Sequence, residues 1–446
     1  MVSLKITKER GKKLMAFTVA VFLITITLMI LSVLFFPKIK IKKITLPTYV
    51  LVTLLGAIFL LVTCRADLKT VLNSLTSNTA VNPLKILVLF ITMSGLSIFL
   101  DELGFFKYLA NATLKRAKSG QFKLFLYLYL IVSVLTVFTS NDVIVLSFTP
   151  FICHFAKSAK INATPYLCAE FVGANTWSMA LIIGNPTNVY LATSYGIDFI
   201  SYLSVMLIPT LISGIVAFIL LLLLFYNQLK KPICSNCYEE VHIKDKPLLT
   251  SGIIHLLICT CLLAVSSYAS VEMWLISLIA FISLILTSII VCKLEKTKPY
   301  EVVSTFKHLP YELLPFIISM FVFTVALNQN GITNHLTNFL GNSAPILKYG
   351  LSSFLVCNVI NNIPMSILYS SILGVSNVGL NAVYATIIGS NLGAFFTPIG
   401  ALAGIMWSNI LNKNGIKFSY LNFLKIGVLI ALPTLLTALL TLYLVL

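Results

Sequence analysis

The chain has 446 residues, of which 58% are hydrophobic and only 10% charged, and it carries a formal net charge of +17. An average soluble domain is roughly 25% charged, so the composition excludes a soluble globular protein and identifies an integral membrane protein. The positive charge lies in short loops (residues 37–43, 115–123, 230–246 and 293–307), which points to the anionic surface of a lipid bilayer as partner and speaks against nucleic acid.

A bilayer crossing takes ~20 apolar residues. Lys5, Lys8, Arg10, Lys12 and Lys13 precede an apolar run at residues 15–36. That run exceeds a signal-peptide core and lacks a small-residue cleavage site, so it is expected to be a retained first span. Lysines flank both of its ends, so charge does not set its orientation. Further runs of span length are 46–64, 199–226, 248–269, 272–292 and 421–446. With shorter or interrupted runs between them, the expectation is an all-α polytopic membrane protein of about eleven or twelve segments in one domain. Nine cysteines are mostly single and within apolar runs, where a free thiol is a small core residue. Cys234 and Cys237, spaced as CxxC in a polar loop near His242, are weak evidence for a metal without a second pair. No cofactor or metal is expected.

Polar landmarks recur at fixed offsets, the mark of an internal repeat. A shift of 227 carries Ile91, Met93, Leu100, Gly104 and Leu109 onto Ile318, Met320, Leu327, Gly331 and Leu336, and sets Asp101-Glu102 on Asn328-Gln329. Further on, Ser140-Asn141 corresponds to Asn361-Asn362 at 221, and Asn175 to Asn391 at 216. The same 216 carries Ile183-Gly184 onto Ile399-Gly400. The expected organisation is therefore N-terminal spans at 1–82, a first repeat at 83–226, a loop with two linking spans at 227–310, and a second repeat at 311–446.

Gly184-Asn185-Pro186-Thr187-Asn188 interrupts an apolar stretch, and Thr397-Pro398-Ile399-Gly400 does so in the second repeat. Proline removes a backbone donor and glycine permits turns, so both interruptions predict helix breaks at membrane depth. Unwound backbone is tolerated there only where protein buries it or a cavity solvates it. Paired breaks in two halves are the sequence pointer to a secondary transporter with its site near the midplane. Inverted repeats are expected from that pattern rather than from the residues themselves.

The candidate solute-binding residues are Ser140, Asn141, Asn175, Thr176, Gly184, Asn185, Pro186, Thr187, Asn188, Asn361, Asn362, Pro364, Ser390, Asn391, Thr397, Pro398 and Gly400. Each alone could cap a helix or join two helices by a hydrogen bond. Taken together, two symmetric breaks offer the free amides and carbonyls of half-helix ends to one shared solute. Ionisable groups inside a bilayer are functional candidates by default, which singles out Asp142 and Glu170 for ion coupling. Asp142 also suits a helix start, and Asp101-Glu102 beside Lys107 read equally well as an interfacial charge pair.

Several stretches resemble the arsenical-pump membrane protein family, within a wider superfamily that includes sodium/proton antiporters and sodium–dicarboxylate symporters. They are Leu100-Asp101-Glu102-Leu103-Gly104-Phe105-Phe106, Ser140-Asn141-Asp142, Ala174-Asn175-Thr176-Trp177-Ser178, Asn361-Asn362-Ile363-Pro364, and Asn391-Leu392-Gly393 with Thr397-Pro398-Ile399-Gly400. The resemblance implies two inverted repeats with broken or re-entrant helices, and export of arsenite or antimonite in exchange for protons. It also implies acids where this chain has Asn175 and Asn391, and a Pro-Lys pair where it has Ala394-Phe395. Their absence leaves Asp142 and Glu170 as the coupling acids.

The expected function is thus secondary transport of a small inorganic solute or anion across the plasma membrane of a bacterial cell, coupled to protons or sodium. Arsenite export is its most specific form, with dicarboxylate transport or sodium/proton antiport as alternatives. Scattered histidines without a paired acid or HExxH spacing argue against an enzyme. Compatible partners are a second copy of the chain and, since no nucleotide-binding motif occurs, a separate ATPase subunit.

Overall fold

Apolar segments that must satisfy every backbone N–H and C=O without water become helices, and this chain is helical almost throughout. The computed structural model describes residues 2–36, 38–41, 44–76, 82–117, 120–231, 243–266, 268–376 and 378–446. Cys234, Cys237 and His242 lie outside them. Helix α1 (Val2–Phe35) leads into an antiparallel ribbon, β1 (Lys38–Ile41) and β2 (Ile44–Pro47), with Ile41 opposite Ile44. Helix α2 (Thr48–Val62) packs back on α1, and α3 (Leu68–Thr76) follows.

A run of helices then occurs twice in the same order. The first consists of α4 (Pro83–Glu102), α5 (Phe105–Ala117), α6 (Gln121–Phe138), α7 (Asn141–Ser158), α8 (Thr164–Trp177), α9 (Pro186–Ser194) and α10 (Phe199–Leu229). After the linking helices α11 (Lys246–Ala264), α12 (Met273–Leu294) and α13 (Tyr300–His308) comes the second. It consists of α14 (Leu313–Gln329), α15 (Ile332–Leu340), α16 (Pro345–Ile360), α17 (Asn362–Val375), α18 (Leu380–Gly393) and α19 (Leu402–Lys413). A final helix closes it in two pieces, α20 (Tyr420–Ile426) and α21 (Leu432–Val445), joined by a wide turn at Gly427–Ala431.

The correspondence extends to single residues. Gly104 and Gly331, 227 apart, both turn the chain with left-handed backbone (φ 82° and 76°) between the first two helices of each run, a conformation that costs glycine least. Helices α8 and α18 are both 14 residues long and start 216 residues apart.

Equivalent helices run in opposite directions. The start of α4 meets the end of α3, where Asn82 donates to Leu75 O (2.9 Å). Helix α14 ends at that corner, with Asn330 donating to Arg65 O (3.0 Å) and Gln329 accepting from Asp67 N (2.9 Å). It begins where α4 ends, since His308 just before it lies 2.7 Å from Glu102. Thus α4 and α14 pack antiparallel, as inverted repeats require. The repeats also exchange elements: α9 packs on α17, and reciprocally α19 packs on α7.

Among the described residues, eight helical stretches are long and apolar enough to cross a membrane: Lys13–Ser32, Pro83–Glu102, Gln121–Phe138, Phe199–Leu229, Lys246–Ala264, Met273–Leu294, Tyr300–Gln329 and Tyr420–Val445. The apolar helices α2, α16 and α17 are shorter. Leu275, Ile279, Ile282, Leu286 and Ile290 of α12 are exposed at helical spacing, a stripe suited to lipid.

Candidate functional site

Each repeat contains one helical hairpin with a polar tip and one interrupted helix. In the first, α6 and α7 run antiparallel, since Leu124 and Leu128 of α6 line a small pocket with Phe151 and Phe155 near the end of α7. Their two-residue tip is Thr139-Ser140, and Ser140 caps α7 by accepting from Val143 N (3.4 Å). In the second hairpin, Tyr349 of α16 and Tyr369 of α17 meet edge to face, with centroids 6.4 Å apart. Its tip is the single residue Asn361 at φ 74°, which caps α17 by accepting from Ile363 N (3.3 Å). Asn141 and Asn362 occupy the first position of α7 and α17. Pro364 falls in the first turn, where no backbone donor is needed.

The interrupted helices are α8–α9 and α18–α19, with breaks at residues 178–185 and 394–401. The first break therefore lies N-terminal to the place expected from the sequence. Pro186 is the first residue of α9, and Thr187 and Asn188 belong to its first turn. A proline at that position has its φ preset and lacks only a donor that would be unpaired anyway. Asn185 caps the helix, accepting from Thr187 N and Thr187 Oγ1 at 3.1 Å each.

Glycine is required in both breaks by close approach of backbone. A Cβ on Gly184 would stand 2.3 Å from Ser178 O, and one on Gly400 2.6 Å from Gly393 O. The second tip is tied into its break: Asn361 donates to Ile399 O (3.0 Å), Asn362 N to Gly400 O (2.9 Å), and Thr397 to Asn358 Oδ1 (2.6 Å). Pro398 lies within this break.

The two repeats meet at Asn391. Its Oδ1 accepts from Ser178 Oγ and Asn185 Nδ2, both at 2.9 Å. Its Nδ2 donates to Asn188 Oδ1 (2.6 Å) and Ile387 O (2.8 Å). Asn188 in turn donates to Ser178 O (2.8 Å) and Leu181 O (3.2 Å), which holds the first break in shape. Asn175, the counterpart of Asn391, donates to Phe171 O (2.8 Å) and accepts from Asn141 Nδ2 (3.0 Å). All six of these side chains are buried, as are Thr176 and Ser390. Among the described residues Asn141 Oδ1, Thr176 Oγ1 and Ser390 Oγ have no hydrogen-bond partner. Buried polar atoms are ordinarily paired, and each of these three belongs to or adjoins one of the linked asparagines.

The two acids lie apart from each other. Glu170 is fully buried, accepting from Trp407 Nε1 (3.1 Å) and Thr149 Oγ1 (3.3 Å). It thereby ties α8 of the first repeat to α19 of the second, beside the stacked rings of Phe171 and Trp407. Asp142 is half-buried at the start of α7, within electrostatic reach of Glu312 and Tyr49. No hydrogen bond joins Asp142 to residues 185–188 among the described residues. The first break is satisfied by Asn391 and Ser178 instead. Glu102 pairs with His308 and accepts from Ser304 Oγ (2.8 Å).

The sequence reading did not single out Ser178, Asn358, Thr149, Trp407, Tyr49 or Glu312. Asn358 could have been flagged by its helical spacing from Asn361-Asn362, and Ser178 by lying three residues beyond Asn175. No local signal marks Trp407. Among the described residues no group of three or more His, Cys, Asp or Glu could hold a metal.

A cavity of about 340 Å³ opens at the far end of α9, lined in part by Lys85, Thr193, Asp198, Glu272 and Trp274. Ile86 borders both this cavity and a narrow crevice of about 10 Å³ beside Pro186 and Ile363. Lys85 spans the mouth through an ion pair to Glu272 (2.6 Å), which also accepts from Trp274 Nε1 (2.8 Å).

Residues 44–383 match the citrate transporter (CitMHS) family. The arsenical pump membrane protein of Escherichia coli strain K12 is 27% identical over 410 residues, covering 85% of this chain and 90% of that protein. The putative arsenical pump membrane protein of Bacillus subtilis strain 168 is 26% identical over 381 residues, covering 78% and 84%. The crystal structure of the YdaH transporter of Alcanivorax borkumensis superposes over 97% of both chains with a TM-score of 0.53 at 13% sequence identity, a likeness of fold. Two inverted repeats meeting at paired helix breaks, in a chain matched to that family over most of its length, make this a multi-pass membrane transporter that belongs to the citrate transporter family.

Proposed function

We propose that the protein is a secondary active transporter that exports arsenite and antimonite in exchange for protons. The observation that carries this reading is the neutral chemistry where the repeats meet: Asn141, Asn175, Thr176, Ser178, Asn185, Asn188, Ser390 and Asn391 are all amides or hydroxyls. No lysine or arginine occurs within residues 139–142, 175–188, 358–364 or 390–404. Arsenite and antimonite are mainly neutral hydroxides near pH 7, and amides and hydroxyls serve both as donors and acceptors for such solutes. Broken helices at paired positions support alternating access around one shared site.

In this reading Asp142 and Glu170 carry the coupling protons. Asp142 is half-buried at the first hairpin tip, and Glu170 bridges the repeats. Protonation of Glu170 would change its bonds to Thr149 and Trp407, and so the hold of α19 on α8.

Transport of a citrate-like anion is the second reading. It is favoured by the family match. Flux of arsenite, antimonite, citrate and succinate in proteoliposomes, with an imposed proton or sodium gradient, separates the two. Arsenite flux driven by the proton gradient is expected. Citrate or succinate flux without arsenite flux would overturn the proposal. Retained proton coupling in Asp142→Asn would remove Asp142 from the coupling role.

A further inference from the structure

We infer that the two symmetry-related amides have diverged in role, so that Asn391 is an internal clasp and Asn175 with Asn141 forms a single subsite for a hydroxylated solute. This rests on the transport reading above and narrows it.

An asparagine side chain offers two N–H donors and two acceptor lone pairs. Asn391 uses all four, on Asn188, Ile387, Ser178 and Asn185. Asn175 uses two, one donor to Phe171 O and one lone pair to Asn141 Nδ2. The surroundings explain the difference. A shift of 216 carries Ser178, Asn185 and Asn188 onto Ala394, Ala401 and Gly404. Each polar group that fills the amide of Asn391 is thus replaced, on the equivalent side of the second repeat, by a methyl group or a hydrogen.

The orientation of the amides is set by the backbone. Both Asn175 and Asn391 donate to the carbonyl four residues earlier, at Phe171 and Ile387, which are themselves 216 apart. A carbonyl can only accept, so the Asn175 nitrogen must face Phe171, its oxygen must face Asn141, and the Asn141 nitrogen must face Asn175. The group of Asn141 left buried without a partner is therefore its oxygen. That oxygen needs a donor. An ionised carboxylate has none to give and would bring a lone pair against a lone pair, whereas the hydroxyl of a neutral oxyacid can donate there and accept from the remaining Asn175 N–H. The unpaired hydroxyls of Thr176 and Ser390, each next in sequence to one of the paired asparagines, can serve in either sense.

The test compares Asn175→Ala, Asn141→Ala and Asn391→Ala in two measurements: the KM for arsenite in proteoliposomes, with citrate as the ionised probe, and the thermal midpoint of the purified protein. We expect Asn175→Ala and Asn141→Ala to raise the arsenite KM by about tenfold or more, a factor worth ~1.4 kcal/mol. Their thermal midpoints should change little. Asn391→Ala should lower the midpoint most, because it strands Ser178, Asn185 and Asn188 together, and should raise the KM less than Asn175→Ala does. Equal KM effects at Asn175 and Asn391, or an equal fall in midpoint, would overturn the division of roles. Should the parent protein carry citrate and not arsenite, both the export reading and the hydroxylated-solute assignment fall. The order of midpoints still decides whether Asn391 is the clasp.

Discussion

At the first helix break Asn185 and Asn188 reach across to the other repeat and fill the amide of Asn391; at the second, Ala401 and Gly404 stand in their places and reach nothing. The backbone plan is nevertheless shared. Both breaks carry a glycine beneath a carbonyl, and both follow a 14-residue helix ending near a buried asparagine. Duplication preserved the geometry that a break needs and released the side chains to specialise. A similar divergence holds one turn deeper. Glu170 and Trp407 bond across the repeats, while their counterparts at the same offset are Thr386, which donates to Ala382 O of its own helix, and Leu191.

This comparison can be broken most severely at the shared backbone. Gly184→Ala and Gly400→Ala should each cost about 3 kcal/mol or more, since a Cβ would overlap a main-chain oxygen that cannot swing away. Folded yield by size-exclusion chromatography should collapse for both, and near-parental yield for either would show that the two carbonyls can retreat. Next in size is Trp407→Phe, which keeps the ring stack on Phe171 but leaves the buried Glu170 carboxyl with Thr149 alone. A loss of about 1–3 kcal/mol in stability is expected, read as a lower thermal midpoint, together with a shift in the pH profile of transport. An unchanged pH profile would make the contact structural only.

The hairpin tips sharpen the comparison further. Ser140 caps α7 from ordinary extended backbone, whereas Asn361 caps α17 from φ 74°. Removing either cap should cost ~1 kcal/mol. Asn361→Ala also loses the bond to Ile399 O, so it should exceed Ser140→Ala by roughly a further 1 kcal/mol. Asn361→Gly loses the same bonds but relieves the Cβ at positive φ, so it should be less destabilising than Asn361→Ala, and an equal loss would show that the tip carries no backbone strain.

The smallest effect belongs to the surface latch. The hydrogen bond from Lys85, helped by Trp274, holds the Glu272 carboxyl below its usual range. A depressed folded value means that its contribution is present above the unfolded value of 4.5 and is lost as pH falls through the lower folded one. Half of the Glu272 side chain is exposed, so screening limits the pair to well under 1 kcal/mol. Glu272→Gln should therefore leave the midpoint almost unchanged at pH 7 and flatten its fall below pH ~4.5. A large loss at pH 7 would mean that the cavity mouth is far more rigid than its exposure suggests.

The fold class was legible because its determinants are local: apolar runs of span length, and glycines, prolines and caps that survive at fixed offsets. The offset of 227 found Gly104 and Gly331, whose left-handed turns depend only on their own residues. The offset of 216 found Asn175 and Asn391. What those amides touch was not legible, because the partners of Asn391 lie more than 200 residues away across a fold axis that no spacing encodes. The same holds for Trp407, whose sequence neighbours give no hint of Glu170. The break itself was misplaced toward Pro186 because proline ends one helix and starts another equally well, and only the cap at Asn185 decides between them.

The exchange of elements between repeats also sets a timetable for biogenesis. Helix α9 finds its packing partner α17 only after about 170 further residues have been made, which at 5–20 residues per second is a wait of roughly 10–30 s. Throughout it Asn185 and Asn188 sit in or near lipid without Asn391, in a half-finished protein whose most polar intramembrane segment has no counterpart. The nascent first repeat is thus a client for whatever shields polar helices during insertion, and the arrival of the second repeat is what releases it.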